Sequence, residues 1–139
     1  MSFNVAADAY DAFMGPWSRL VSVAFADLAG VVPGMRVVDV GCGTGALTGE
    51  LVRRVGPGSV SAVDPSPTFA AAMRGRFVGL DVREAAAERL PYPDGTFDAA
   101  LAQLVVHFMA DPVAGLAEMR RVVRGGTLSR GARGLPGVR

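Results

Sequence analysis

The chain has 139 residues, of which 50% are hydrophobic and 19% charged, and its formal net charge is +1. This is the length of one ordinary domain with a hydrophobic core, which excludes a chain that is disordered throughout. Residues 99–110 form the longest uncharged apolar run, too short for a transmembrane helix, and residues 1–17 lack a signal-peptide pattern. Because the single Cys42 cannot form an internal disulfide, we expect a cytoplasmic protein without a membrane anchor.

Charge is unevenly distributed along the chain. Residues 1–118 have a balance of −5, whereas residues 119–139 contain six arginines and no acidic residue. Residues 127–139 also lack an apolar period and consist of residue types that favour loops. We expect a folded domain over residues 1–126 and a disordered Gly/Arg-rich tail over residues 127–139. No aromatic residue is interleaved with the terminal arginines, so nucleic acid is not the expected partner.

The predicted elements alternate between helix and strand. A first helix is expected from residue 18 to residue 29, after a break at Gly15-Pro16, because apolar residues recur at the spacing of one helical face. This face consists of Leu20, Val21, Ala24, Phe25 and Leu28. Strands are expected at residues 36–40, 60–63, 81–85 and 97–105, and further helices after Gly45, Ser66 and Asp111.

Such alternation predicts an α/β fold, a Rossmann-like doubly wound parallel sheet with helices on both faces. Crossover connections between parallel strands are right-handed in nearly all proteins. The loops that follow the strands should therefore lie together at the carboxyl edge of the sheet, where ligands bind in this kind of fold.

The strongest local signal is the loop that follows the first strand. Gly41, Gly43 and Gly45 lie between this strand and a helix, and glycines let the backbone approach a ligand closely. The helix N-terminus behind them can bind a phosphate or a carboxylate. Asp64 ends the second strand, at about the spacing where an acid binds ribose hydroxyls. This pattern fits any adenosine-containing cofactor, including a nicotinamide dinucleotide.

Four segments, taken in order, resemble the class I S-adenosylmethionine (SAM)-dependent methyltransferases. They are residues 39–45 (DVGCGTG), 63–66 (VDPS), 87–98 (AERLPYPDGTFD) and 121–126 (RVVRGG). The likeness covers most of residues 10–126 and is closest to small-molecule methyltransferases of quinone biosynthesis. It implies SAM as cofactor, a helical cover over residues 1–30, and a sheet of which this chain supplies four or five of the family's seven strands.

The resemblance also implies roles for single residues at the carboxyl edge. Gly41 and Gly43 would follow the methionine part of the cofactor, Asp39 would orient their loop, and Asp64 would bind the ribose hydroxyls. Gln103, with Leu104, would line the cofactor near its sulfonium.

The adenine end and the N-terminal cover are less typical of the family. The backbone of Ala86 and Ala87 would meet the adenine edge, although many family members have an acid at the position of Ala86. Tyr10 and Arg19 lie where N-terminal helices cover the cofactor, and a structural role is the alternative for both. We expect no metal site.

His107 is the single histidine and the one candidate catalytic residue. It follows the fourth strand, where an acceptor would enter, and a histidine can remove a proton near neutral pH. The alternative is a packing residue at the start of a helix. Cys42 has a similar ambiguity between a reactive thiolate near a helix N-terminus and simple packing.

The sequence therefore predicts a SAM-dependent methyltransferase that acts on a small molecule by in-line displacement. The resemblance stops where the composition changes, and we expect a C-terminally truncated chain whose fourth strand is an open edge that forms a homodimer. A non-catalytic SAM-binding or dimerising remnant is the alternative, and a nicotinamide-dependent oxidoreductase is the third hypothesis.

Overall fold

The computed structural model describes residues 3–103 and 109–126, with side chains from residue 16 onward. The helices are α1 (Phe3–Ala29), α2 (Ala46–Val55), α3 (Pro67–Arg76) and α4 (Pro112–Val122). The strands are β1 (Val37–Val40), β2 (Val60–Asp64), β3 (Asp81–Glu84) and β4 (Ala99–Leu101). Short 3₁₀ turns occupy Pro57–Ser59 and Arg124–Gly126.

All four strands are parallel and lie in the order β3-β2-β1-β4. The chain moves outward from β1 to β3 and then returns to the other side of β1, so the winding reverses between β1 and β4. The loops after these two strands therefore flank a crevice at the carboxyl edge. The predicted α/β fold with a parallel sheet is confirmed.

Helices cover both faces of the sheet, and β1, β2 and β4 are buried along their whole length. On one face, α1 and α2 pack in a cluster that includes Ala26, Leu51 and Ala99. On the other face, Met119 and Val122 of α4 pack against Val38 and Val63. Fully buried strands rich in valine are typical of parallel sheets.

Helix α1 differs from its prediction in two ways. It begins at Phe3 and continues through Pro16. It also buries Ser18, Ser22, Ala26 and Ala29, whereas Trp17, Leu20 and Leu28 are each more than 60% exposed. The predicted buried face is therefore wrong, apart from the half-buried Phe25. The small side chains face the sheet, where they allow close packing.

Strand β4 is shorter than predicted within the described residues. Phe97 does not continue the strand, because its N–H and C=O bond to Val122 and Arg124, and it forms a parallel bridge with Val123. The expected end of the strand at residue 105 lies outside the described residues. Helix α3 begins as predicted, with the Ser66 hydroxyl accepting from the Phe69 N–H at 3.3 Å and Pro67 in its first turn.

Candidate functional site

The loop after β1 is a tight turn with glycines at positive φ. Gly41, Gly43 and Gly45 have φ values of 74°, 53° and 94°. The N–H groups of Gly41 and Cys42 donate to the Val63 carbonyl at 2.8 and 2.9 Å, which fixes the turn to β2. A side chain at Gly43 would meet nothing within 4 Å, whereas one at Gly45 would collide with the Met73 Sδ at 2.6 Å. The loop is therefore packed against α3 at Gly45 and open at Gly43.

Asp64 joins the glycine loop to the start of α3. Its Oδ2 accepts from the Gly43 N–H at 2.9 Å, and its Oδ1 accepts from the Ser66 N–H at 2.8 Å. A carboxylate has about four acceptor sites, so each oxygen keeps one for a ligand hydroxyl. The structure thus brings Asp64 and Gly43 together, and it gives Asp64 a loop-orienting role that the sequence did not reveal.

Asp39 is buried beneath this loop. Its Oδ2 accepts from the Thr48 hydroxyl at 2.6 Å, which ties the end of β1 to α2. Burial raises the pKa of Asp39 to about 7, the nearby Asp64 adds to the rise, and the Thr48 hydrogen bond opposes it. The structure therefore places Asp39 beneath the loop, in contact with α2.

Cys42 is buried among Ala62, Ala70, Met73 and Val82. Burial raises the pKa of its thiol far above the ordinary value, and Asp39 and Asp64 raise it further. A thiol in these surroundings remains protonated and packs as a small apolar side chain. This favours the packing alternative over a reactive thiolate.

The segment that contains Ala86 and Ala87 leaves β3 directly beside Asp64. The Ala85 N–H donates to the Asp64 carbonyl at 3.1 Å, and the Ala86 carbonyl accepts from the Arg89 N–H at 3.1 Å. Ala86 is exposed at this edge. The structure therefore places the predicted adenine-binding segment next to the predicted ribose-binding acid.

Arg121 and Glu118 of α4 anchor the next part of this segment, which the sequence did not predict. The Arg121 guanidinium donates to both Glu118 oxygens, to Asp94 and to the carbonyls of Leu90 and Tyr92. Glu118 also accepts from the Leu90 N–H at 2.9 Å. An arginine three residues after a glutamate on a predicted helix was the available signal.

Gln103 follows β4 at the same edge and contacts α1. Its Nε2 donates to the Ser22 Oγ at 2.9 Å and to the Ser18 carbonyl at 3.3 Å. Its Oε1 is buried and has no hydrogen-bond partner among the described residues. Sequence analysis missed Ser18 and Ser22, although two serines four residues apart in an apolar helix were a visible signal.

Of the remaining predicted residues, one has an exposed side chain and three have side chains that the structure does not describe. Arg19 lies on α1 with its side chain exposed. The side chain of Tyr10 lies outside the described residues, as do His107 and Leu104. Within residues 3–103 and 109–126, no three His, Cys, Asp or Glu side chains are grouped as metal ligands, and no helix has the length and apolar character to cross a bilayer.

A glycine loop beside an acid at the carboxyl edge of a doubly wound sheet is typical of cofactor-binding α/β proteins. Residues 38–129 match the family described as the methyltransferase domain. The chain therefore belongs to this family, whose cofactor is SAM, and the resemblance stated from the sequence is confirmed.

Curated relatives agree with this assignment. The chain is 33% identical over 133 residues to the ubiquinone/menaquinone biosynthesis C-methyltransferase UbiE of Cupriavidus necator, covering 89% of this chain and 55% of the relative. It is 39% identical over 92 residues to the chloroplastic 2-methyl-6-phytyl-1,4-hydroquinone methyltransferase 2 of Oryza sativa subsp. japonica, covering 65% and 26%. The chain thus spans about half the length of one relative and a quarter of the other.

Solved structures share the fold. A SAM-dependent methyltransferase from Thermotoga maritima matches with a TM-score of 0.66 and 27% identity, covering 88% of this chain and 54% of that one. The [4+2]-cyclase SpnF matches with a TM-score of 0.67 and 28% identity, covering 76% and 41%. The same fold is therefore found in proteins named for different reactions.

Proposed function

We propose that this chain binds SAM and transfers its methyl group to a small-molecule acceptor by in-line displacement. The observation that carries the proposal is the pair of hydrogen bonds from Gly43 and Ser66 to Asp64, because they hold an acid with spare acceptor sites beside an open glycine loop. Family membership supports the same reaction.

The residues at the carboxyl edge fit this cofactor. Gly43 leaves room for close approach of a ligand, and the N-cap residue of α2, Gly45, offers no side-chain cap. The backbone of Thr48 already bonds to Asp39, so the N–H groups before it in the first turn of α2 would meet a ligand carboxylate. Asp64 would hold the ribose hydroxyls. Ala86 offers no carboxylate to the adenine, so its recognition would depend on backbone and shape.

When bound, SAM supplies an electrophilic methyl group on a sulfonium. The protein's part is to hold an acceptor in line with this group, and positioning of this kind can supply about 7 to 11 kcal/mol of a barrier. His107 would remove a proton where the acceptor must lose one, as we proposed from its position after β4. One relative is named for a hydroquinone and another for ubiquinone/menaquinone biosynthesis, which makes an aromatic quinol the first acceptor to test.

SAM binding without methyl transfer is the alternative function. One observation favours keeping it open: the match to a protein named as a [4+2]-cyclase. Family membership disfavours the third hypothesis, a nicotinamide-dependent oxidoreductase, although the glycine loop and Asp64 alone would fit NADH as well. We place the activity in the cytoplasm, in keeping with a single buried cysteine.

Titration calorimetry with SAM, S-adenosylhomocysteine and NADH tests the cofactor. We expect binding of the first two and none of NADH, and Asp64→Asn should weaken SAM binding about 10- to 100-fold, because an amide cannot accept both backbone bonds. Asp94→Asn is the matched control, since Asp94 is 83% exposed and bonds to Arg121. NADH binding, or equal affinities of both variants, would refute this cofactor site.

A transfer assay then separates enzyme from binding protein. SAM with a labelled methyl group is incubated with quinols, phenols and amines, and label is followed into each acceptor. Transfer that His107→Ala reduces supports the enzyme and its base; binding of SAM with no transfer to any acceptor favours the alternative.

A further inference from the structure

Helix α1 meets the carboxyl edge of the sheet through a polar contact, which we call the α1–sheet contact and define as Ser18, Ser22 and Gln103. Ser22 is fully buried, and its hydroxyl donates to the Ser18 carbonyl at 2.6 Å. The Ser22 oxygen in turn accepts from Gln103, which also reaches the Ser18 carbonyl. One carboxamide therefore bonds to two successive turns of the helix.

This contact explains which face of α1 is buried. Trp17, Leu20 and Leu28 offer more apolar area than the serine face, yet they are exposed. Gln103 is half-buried, and its amide nitrogen has two acceptors on the serine face, the Ser22 hydroxyl and the Ser18 carbonyl. A donor left unpaired in such a place costs free energy. The small residues on that face, Ala26 and Ala29, also pack closely with Ala99 and Leu101.

Gln103 lies at the carboxyl edge after β4, and the glycine loop lies at the same edge after the neighbouring β1. The two therefore flank the crevice between the strands. Its Oε1 is buried and has no partner among the described residues, whereas its Nε2 donates to Ser22 and Ser18 of α1.

We infer that Gln103 is a positioning residue that couples the placement of α1 to cofactor affinity. By bonding to Ser22 and Ser18, it holds α1 beside the crevice and limits loss of a bound ligand. The inference rests on the proposed function for the identity of the cofactor, and on the α1–sheet contact alone for the placement of the helix.

The test is a double-mutant cycle with Ser22→Ala, Gln103→Met and the double variant. Ser22→Ala keeps a good helix former, and Gln103→Met keeps the side-chain length. Hydrogen exchange of amides 18–29 reports helix placement, and calorimetry reports SAM affinity. Each single variant should lower the protection of these amides from exchange and the affinity for SAM, each by about three- to tenfold. The double variant should match the larger of the two single effects.

Ser59→Ala is the matched control, because Ser59 lies in the turn before β2, away from the carboxyl edge. Additive losses, unchanged SAM affinity in the single variants, or equal losses in the control would overturn the inference. If the wild-type chain itself fails to bind SAM, the proposed function fails. Hydrogen exchange across the double-mutant cycle then tests only whether Gln103 holds α1 in place. Non-additive losses of protection support that placement, and additive losses refute it.

Discussion

At the residue scale, two aspartates at neighbouring strand ends have different environments. Asp64 accepts two backbone N–H bonds and keeps acceptor sites for a ligand. Asp39 is fully buried, bonds to Thr48 and has a pKa raised to about 7 by burial. The same residue type therefore joins a loop to a helix start through backbone N–H groups in one position and joins a strand to a helix through a hydroxyl in the other.

The raised pKa of Asp39 predicts a pH dependence of stability. The native state keeps a proton that the unfolded chain releases near pH 4. The contribution of this bound proton to the free energy of unfolding is therefore complete below that pH and is lost as pH rises to about 7. Asp39→Asn cannot ionise. Its free energy of unfolding, relative to wild type, should therefore rise by roughly 2 to 4 kcal/mol from pH 5 to pH 8.

Urea denaturation at several pH values measures this difference. Asp94→Asn, at an exposed carboxylate, serves as the control and should show no comparable trend. A difference between Asp39→Asn and wild type that does not change with pH would contradict the assigned environment of Asp39.

At the element scale, the glycine loop is held by the helix beside it. Gly45 requires glycine for two reasons, its φ of +94° and the closeness of Met73 and Phe77. Gly34 has nearly the same φ, +93°, but open space around its missing side chain. A comparison of substitutions at Gly34 and Gly45 therefore distinguishes the cost of backbone strain from the cost of a collision with α3.

Gly34→Ala should lower the free energy of unfolding by about 1 to 2 kcal/mol, from backbone strain alone. Gly45→Ala should lower it by roughly 1 to 3 kcal/mol more, because buried Met73 must move. Urea denaturation measures both values. Equal losses in the two variants would mean that α3 accommodates a side chain at Gly45.

Helix α4 positions the segment between β3 and β4 through Arg121. Arg121→Lys keeps the charge but loses the planar group that reaches Glu118, Leu90 and Tyr92 together. We expect a loss of about 1 to 3 kcal/mol in the free energy of unfolding. Arg53→Lys, at an exposed arginine that pairs with Glu50, should change it by less than about 0.5 kcal/mol. Similar small losses in Arg121→Lys and Arg53→Lys would show that Arg121 does not position the segment between β3 and β4.

At the scale of the whole molecule, the two ends of the described sheet differ in character. The edge strand β3 carries charged Asp81, Arg83 and Glu84, which protect an edge from pairing. Strand β4 consists of the apolar residues Ala99, Ala100 and Leu101. On the side of β4 that faces away from β1, the one backbone bridge among the described residues is that of Phe97, just before the strand, with Val123. The predicted homodimer through β4 stays a prediction.

Sedimentation over a range of concentrations tests this association. We expect a dimer whose formation slows hydrogen exchange at residues 99–101 and leaves residues 81–84, the opposite edge, unaffected. A monomer at every concentration, or protection at β3 instead, would contradict association through β4.

The sequence alone predicted the order of helices and strands, the parallel sheet and the family, because these depend on local periodicity, glycine turns and ordered motifs. It placed Gly41, Gly43 and Asp64 at one edge for the same reason. The roles of the predicted site residues in ligand binding stay predictions, and His107 lies outside the described residues.

Tertiary structure decided the features that depend on partners distant in the chain. The apolar spacing of α1 indicated a buried face at Leu20 and Leu28, but Gln103, more than 70 residues away, requires hydrogen-bond acceptors and the serine face supplies them. Arg121 likewise acquires its role only where α4 packs beside residues 90–94. Periodicity records how apolar a face is, whereas the choice between two faces also depends on which one offers hydrogen-bond acceptors to a polar side chain packed against it.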